Sequence, residues 1–309
     1  MTGQAQIAAI VPTLGRSPVL EDCLRALDEQ RPRPLLVVVR SGPGSLPDAA
    51  RERADILLES SEQLGFAAAT NRGIEATETS FVATVNDDVV VRDGWVRALL
   101  EAAAESEGFA AVQGANTLLD SSQVLDGCGI AWNTWWQAVQ LRAGEATNEL
   151  PTAAFEIAGA SATATLYRRS ALTEVALEGG EAFDPSFESY YEDVDLSLRL
   201  AAAGHRAVCV PAARAAHVGS ATGKTLGRHR LRLIYGNRLL TLRRAAGGAS
   251  SVLAKALLRD FLDGLRRPSR IPGILGGWRR AWQLRHRFPA SGTGAALLAQ
   301  LRDLAGRSS

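Results

Sequence analysis

The chain has 309 residues, of which 46% are hydrophobic, a formal net charge of +1 at pH 7, and three cysteines. That length holds one large domain, or one domain with an appendage, and the apolar fraction is ample for a core. Cys23, Cys128 and Cys209 are too scattered for a disulfide framework or a zinc motif, no apolar run approaches the roughly eighteen residues of a membrane span, and the N-terminus has no signal-peptide pattern, so a reducing, cytoplasmic setting is expected.

In chain order, apolar runs at 7–11, 35–39, 54–58 and 81–85 read as buried strands. Helical periodicity at 18–30, 66–76 and 94–105 separates them. Residues 110–166 are strand-rich and carry Trp132, Trp135 and Trp136. A helix over 194–203 leads to a strand at 205–210, and helices follow at 229–245 and 251–266. The Pro- and Gly-rich stretch 266–277 reads as a break between helices. This rhythm predicts an α/β fold: a Rossmann-like, mostly parallel twisted sheet with helices on both faces and ligands at the C-terminal strand ends. The expected division is a sheet-bearing α/β domain over 1–223 and a basic helical region over 224–309.

Competing signatures are missing. The first strand–helix turn reads VPTLGRSP rather than the glycine fingerprint of a dinucleotide site. No phosphate-binding P-loop and no G-x-S-x-G elbow occurs.

Two acidic clusters stand out. Asn86, Asp87 and Asp88 directly follow the strand at 81–85, and Glu192, Asp193 and Asp195 open the helix after Tyr190 and Tyr191. Taken singly, each has a plain explanation, because Asp favours turns and acids favour the first turn of a helix. Taken together, and with His217 downstream, they suit a divalent cation: hard oxygen ligands bind Mg²⁺ or Mn²⁺, which neutralises a leaving diphosphate.

These segments carry a resemblance. IAAIVPTLGR, LGFAAATNRGI, NDDVVV, FEIAGASATATLYRRSAL, FDPSFESYYEDVDLSLRLAAAGHR and the His217 segment occur in one order. In that order the chain resembles glycosyltransferase family 2 enzymes of GT-A fold over residues 7–244, especially those building bacterial rhamnose- or galactofuranose-containing surface glycans. The resemblance implies an inverting, metal-dependent transferase moving a sugar from a nucleotide-sugar donor to a glycan or lipid-linked acceptor. It implies Asp88 and His217 as metal ligands and Asp193 as general base, with Glu192 as the alternative base or an acceptor contact. Asn86 then meets the ribose, and Asp87 assists the metal or faces solvent. Pro12, Thr13, Arg16, Gly65, Phe66 and Asn71 would border the nucleotide. Arg40 stands where the family has its base-reading Asp, which leaves the base undefined. That loss motivates a second reading, a non-catalytic GT-A-like protein that binds a sugar nucleotide or an enzyme partner.

Trp132, Trp135 and Trp136, with Tyr191, suit an acceptor platform, since sugars stack on indole; ordinary aromatic burial is the alternative. Between Lys224 and Arg287 there are 16 Lys or Arg against two acids, Asp260 and Asp263. With apolar residues interleaved, residues 251–309 are expected to attach to the anionic inner face of a membrane. The alternative is burial against the catalytic domain or the second subunit of a homodimer. No nucleic-acid module accompanies the charge.

Overall fold

The computed structural model describes residues 6–219, 227–246, 250–290, 298–300 and 303. The domain boundary expected at 223, and much of the tail beyond 290, lie outside the described residues.

The first half alternates strand and helix as its periodicity requires. β1 (Ile7–Thr13), α1 (Leu20–Asp28), β2 (Leu35–Ser41), α2 (Asp48–Arg53), β3 (Ile56–Ser60), α3 (Phe66–Glu75) and β4 (Phe81–Val85) come first. A short β5 (Val89–Val91) and α4 (Trp95–Glu105) precede the strand-rich middle. There β6 (Phe109–Leu118), β7 (Ser121–Gly127), β8 (Ile130–Trp132), β9 (Ala138–Gln140), β10 (Phe155–Ile157) and β11 (Ala164–Arg168) follow one another. Then come α5 (Arg169–Glu174), α6 (Glu192–Ala202), β12 (Arg206–His217), α7 (Arg228–Ala245), α8 (Ser250–Arg266) and α9 (Ile271–Leu284).

The main sheet runs β10-β12-β6-β11-β4-β1-β2-β3, with β5 added to β12 and β7 to β6. The β4-β1-β2-β3 half is parallel, as is the β12–β6 pair. Antiparallel β11 lies between β4 and β6 and joins the two parts. Alternation along the strands sorts the core into two layers. Ile7, Ala9 and Val11 pack with α1 and α4 on one face, and Ala8 and Ile10 pack with α3, α5 and α6 on the other.

A third apolar cluster joins the C-terminal helices to what precedes them. Leu239, Leu242, Val252 and Phe288 pack with Ile130, Trp132, Phe187, Tyr191 and Val194. The helical region therefore shares its core with the sheet-bearing part of the chain. The break expected over 266–277 is confined to its first residues, and α9 begins at Ile271 with Pro272 in its first turn, where a missing N–H costs nothing. Its glycines serve packing. A Cβ on Gly277 would lie 2.7 Å from the Tyr235 Cβ and 2.8 Å from the Gly236 nitrogen, and one on Gly273 would lie 2.5 Å from the Leu231 Cβ. Small residues let α7 and α9 approach until their backbones nearly touch, which offsets the poor helix propensity of glycine. None of the described helices is long and apolar enough to cross a membrane.

Candidate active site

The C-terminal ends of β1, β2 and β4 open into a cleft of about 680 Å³. Pro12, Thr13, Arg16, Gly65, Phe66, Asp87 and Asp88 line it, joined by Glu188 and Ser189 from the loop before α6 and by His229 from α7. Thr13 hydroxyl donates to the Asp87 carboxylate, and Gly15 N–H donates back to that hydroxyl at 2.9 Å. Asp87 thus ties the end of β1 to the acidic tip after β4. Burial raises its pKa, against the pull of the Thr13 bond.

Asp88 meets His217. The His217 Nε2 lies 3.2 Å from Asp88 Oδ1, and its Nδ1 lies 2.8 Å from Asp126 Oδ2. The geometry has a structural cause. β12 is twelve residues long, and its last residues pair with β6 and β5 at once, setting His217 opposite Val89, one residue after Asp88. Asp126 comes from β7, on the other side of β6. Among the described residues no three His, Cys, Asp or Glu side chains form a group that could hold a metal ion. What converges on the cleft is an oxygen and an imidazole nitrogen, with Asp126 on the far ring nitrogen fixing the tautomer. Such a pair fits Mg²⁺ or Mn²⁺, ions that keep positions for water and substrate phosphates.

Glu192 and Asp193 are the first two residues of α6 and are environmentally distinct. Asp193 accepts from the Ala162 N–H at 3.3 Å and the Val194 N–H at 2.8 Å. The Ser161–Thr163 segment binds Asn86 on its other side, the Asn86 N–H donating to the Thr163 carbonyl at 2.9 Å. One short stretch thereby connects the second acidic cluster to the first. Glu192 is buried, and its Oε2 has no partner among the described residues. Burial, then the charge of Asp193, pushes the Glu192 pKa well up. Burial raises Asp193 as well, but its N–H bonds favour the ionised form. Of the two, Asp193 has the backbone bonds that favour ionisation, and Glu192 has none from a side chain. Asp195 faces away and pairs with Arg199 at 2.9 Å and Arg244 at 2.7 Å.

Other sequence candidates are placed differently. The Asn71 side chain is buried and spent on the Phe183 backbone, donating at 2.6 Å and accepting at 3.0 Å. Arg40 bonds Glu59 at 3.0 Å and folds onto the carbonyls of Gly42 and Gly44, while its neighbour Ser41 lines the cleft. Asn86 meets its neighbours through its backbone. Trp132 and Trp136 are buried, 4% and 8% exposed, which is the aromatic burial alternative. Trp135 is half-buried with the Lys255 ammonium 5.7 Å from its ring centre. Tyr191 is buried, its hydroxyl accepting from the Ala138 N–H at 3.3 Å. Sequence reading missed Asp126, whose approach to His217 depends on two non-local strand pairings, and it did not single out Glu188 and Ser189 within the segment that opens α6.

A family model described as glycosyltransferase like family 2 matches residues 5–236. Solved structures match the fold. GalNAc-T7 with UDP, GalNAc and Mn²⁺ superimposes with a TM-score of 0.62 at 11% identity, covering 100% of this chain and 55% of that one. The chain thus spans about half the length of that structure. A mannosyltransferase from Pyrobaculum calidifontis in complex with GDP-Man and Mn²⁺ gives 0.56 at 16% identity, covering 99% and 86%. S. aureus TarS 1–349 gives 0.55 at 14%, covering 98% and 90%. At these identities the likeness is one of fold, and the fold is GT-A. No curated protein matches the chain.

His217 sets a pH dependence. Burial alone would lower its pKa, but the bonds to Asp126 and Asp88 outweigh burial and raise it from 6.5 to about 9. A raised histidine stabilises the fold fully below 6.5, and that contribution is lost as pH climbs through about 9. Metal-free protein should therefore lose stability to denaturant across this window, and His217→Gln should lack the slope. Mg²⁺ affinity should rise over the same window, because the metal displaces the Nε2 proton. Parallel stability–pH curves for the two proteins would contradict the assignment.

Proposed function

The chain belongs to the glycosyltransferase-like family 2, and from that premise we propose that it moves a sugar from a nucleotide-sugar donor to an acceptor hydroxyl in one inverting displacement that depends on a divalent cation. The observation that carries this reading is the meeting of Asp88 and the His217 Nε2, 3.2 Å apart, at a cleft built from the donor-side strand ends. The solved GT-A structures with Mn²⁺ and a nucleotide or nucleotide sugar support it.

The chain's own residues divide the work. Thr13 and Asp87 hold the end of β1 against the acidic tip, shaping the nucleotide end of the cleft. Asp193, ionised and aimed by two N–H bonds, takes the acceptor proton as the acceptor oxygen bonds the anomeric carbon and the phosphate oxygen departs. Glu192, kept neutral by its neighbour, can donate a hydrogen bond. Mg²⁺ or Mn²⁺ held by Asp88 and His217 would neutralise the departing diphosphate. One base with no partner nucleophile gives inversion. The base-reading contact is altered because Arg40 is engaged within its own loop. A hexose or deoxyhexose donor, and a surface-glycan or lipid-linked acceptor reached from the cytoplasm, complete the proposal.

The C-terminal helices supply a way to meet a lipid-linked acceptor. Leu258, Phe261 and Leu265 on α8, and Leu275 and Trp282 on α9, are each half or more exposed, among arginines that include Arg266, Arg267, Arg279 and Arg285. We assign this surface to an anionic bilayer, where each nearby Lys or Arg is worth about 1 kcal/mol.

Three outcomes test the function. Asp88→Ala and His217→Ala should both abolish transfer and weaken metal-dependent donor binding while the protein stays folded; unchanged metal dependence in both sinks the ligand assignment. Asp193→Asn should keep donor affinity and lose at least about 10²-fold in turnover; if Glu192→Gln is the slower enzyme, the base is Glu192. Full-length protein should sediment with anionic vesicles at low salt and release as salt rises. A Phe261→Ser/Trp282→Ser variant should stay in the supernatant, and equal sedimentation of both proteins would remove the membrane assignment.

A further inference from the structure

The loop that delivers Asp193 is held in a conformation its own residues disfavour. Glu188, Tyr190 and Tyr191 have φ of 63°, 69° and 74°. For residues with a Cβ a positive φ is disfavoured, because the Cβ crowds the neighbouring carbonyl oxygen. Nothing in the local sequence supplies the glycine or asparagine that would make it easy.

The support comes from α7, whose Asn237 directly follows the family-matched residues, and from α9, which lies wholly beyond them. Asn237 on α7 points its amide nitrogen into the loop, where its two N–H groups are shared among the carbonyls of Phe187, Ser189 and Tyr190 at 2.8, 3.0 and 2.9 Å. Arg280 on α9 fixes that amide from behind, its Nε donating to Asn237 Oδ1 at 3.1 Å. The same guanidinium pairs with the Glu188 carboxylate at 2.8 Å and donates to the Ser186 carbonyl. Its side chain is only 6% exposed, while that of Glu188 is 45% exposed, so the guanidinium is fixed from the buried side of the pair.

On its other side the loop meets the donor cleft. The Glu188 carbonyl accepts the Ala67 N–H at 3.2 Å, and Ser189 Oγ accepts the Phe66 N–H at 3.3 Å. The loop therefore caps α3, and Gly65, just before its first residue, comes so close that a Cβ would sit 2.3 Å from the Glu188 carbonyl oxygen. Immediately after Tyr191 the chain enters α6 with Glu192 and Asp193.

We propose that Arg280, together with Asn237, is a positioning residue for transfer: it braces the strained loop from the side opposite the cleft and so fixes the helix start that carries Asp193. This rests on the transferase reading given above. α3 keeps its own packing against β1 and β2, so loosening the brace disturbs the base more than the donor. A small misplacement of a reacting group is costly, as much as 10²-fold for about 1 Å. Lys cannot replace the fork, since an ammonium lacks the planar set of donors that reaches Asn237, Glu188 and Ser186 together.

The test uses the full chain with Arg280→Lys and Arg280→Gln. Both should lower kcat at least about ten-fold, Gln more than Lys, while donor KM moves less than about two-fold. Amide exchange at Ala67 and across 186–191 should accelerate with the melting temperature nearly unchanged. If Arg280→Gln does not fold, Arg280→Lys decides alone. Wild-type exchange and kcat in a folded variant overturn the proposal, as does a loss of kcat that only follows the fraction unfolded. Exchange is read without substrate. A wild-type protein inactive with every nucleotide sugar would therefore count against the transferase reading while the brace was judged separately.

Discussion

The contact between His217 and Asp88 is the constraint around which the sheet is arranged. A histidine near the end of the last strand can reach an acidic tip after the fourth only if β12 crosses the whole site. β12 does so by pairing with β6 over its first part, slipping register between Val210 and Arg214, and resuming with β6 and β5 together. The slip has a residue-level condition: a Cβ on Gly114 would lie 2.0 Å from the Ala213 carbonyl oxygen. A bulge here re-aims the strand towards the site, a common use of such irregularities. β7 then needs only its place beside β6 to bring Asp126 onto the remaining ring nitrogen.

Much of this was legible in the sequence, and the legible part has one character. β1, β2, β4, α3, α4 and α7 announce themselves through local periodicity. Asp88, Asp193 and His217 lie at the ends of such elements, so reading the elements also found the acids and the histidine. What was not legible depends on pairings distant in sequence. Asp126 meets His217 across 91 residues, and Glu188 reaches the cleft because α7 and α9 hold it there. The glycines and prolines at 266–277 misled for the same reason. Their local meaning is a break, but their tertiary role is to let α9 close on α7. The tryptophans also divide by tertiary context, with Trp132 and Trp136 in the core that unites the C-terminal helices with the rest of the chain.

The two acidic clusters solve different electrostatic problems. Asp87 and Asp88 are neighbours after a strand, and each has a partner: a hydroxyl for Asp87, an imidazole for Asp88. Among the described residues neither Glu192 nor Asp193 forms an ion pair; Glu192 is buried and Asp193 half-buried. Two carboxylates side by side oppose each other's ionisation. Backbone N–H groups favour the ionised form of Asp193, while burial and the charge of Asp193 push Glu192 well up. A buried carboxylate satisfied by dipoles rather than by a cation keeps its affinity for a substrate proton, which a salt-bridged one surrenders. Asp195, two residues on, shows the contrast: paired with Arg199 and Arg244, it is anchored structure.

That difference explains why the helical region is built into the site. If Asp193 is the base, as proposed, it is held by no cation and has to be positioned by the backbone beneath it. Here that backbone passes through three left-handed residues, a cost of several kcal/mol if each carries about 1–2. Hydrogen bonds involving a charged partner contribute about 1.5–3 kcal/mol each, and neutral ones about 1. The bonds from Asn237 and the contacts of Arg280 are thus of the right size to offset the strain. Arg244 adds a second tie, joining Asp184 before the loop to Asp195 after it, at 2.6 and 2.7 Å. The positive groups are set at the margins of the loop and leave Asp193 unpaired. Positioning by charge at a distance and by dipoles nearby preserves both the geometry and the basicity that proton removal requires.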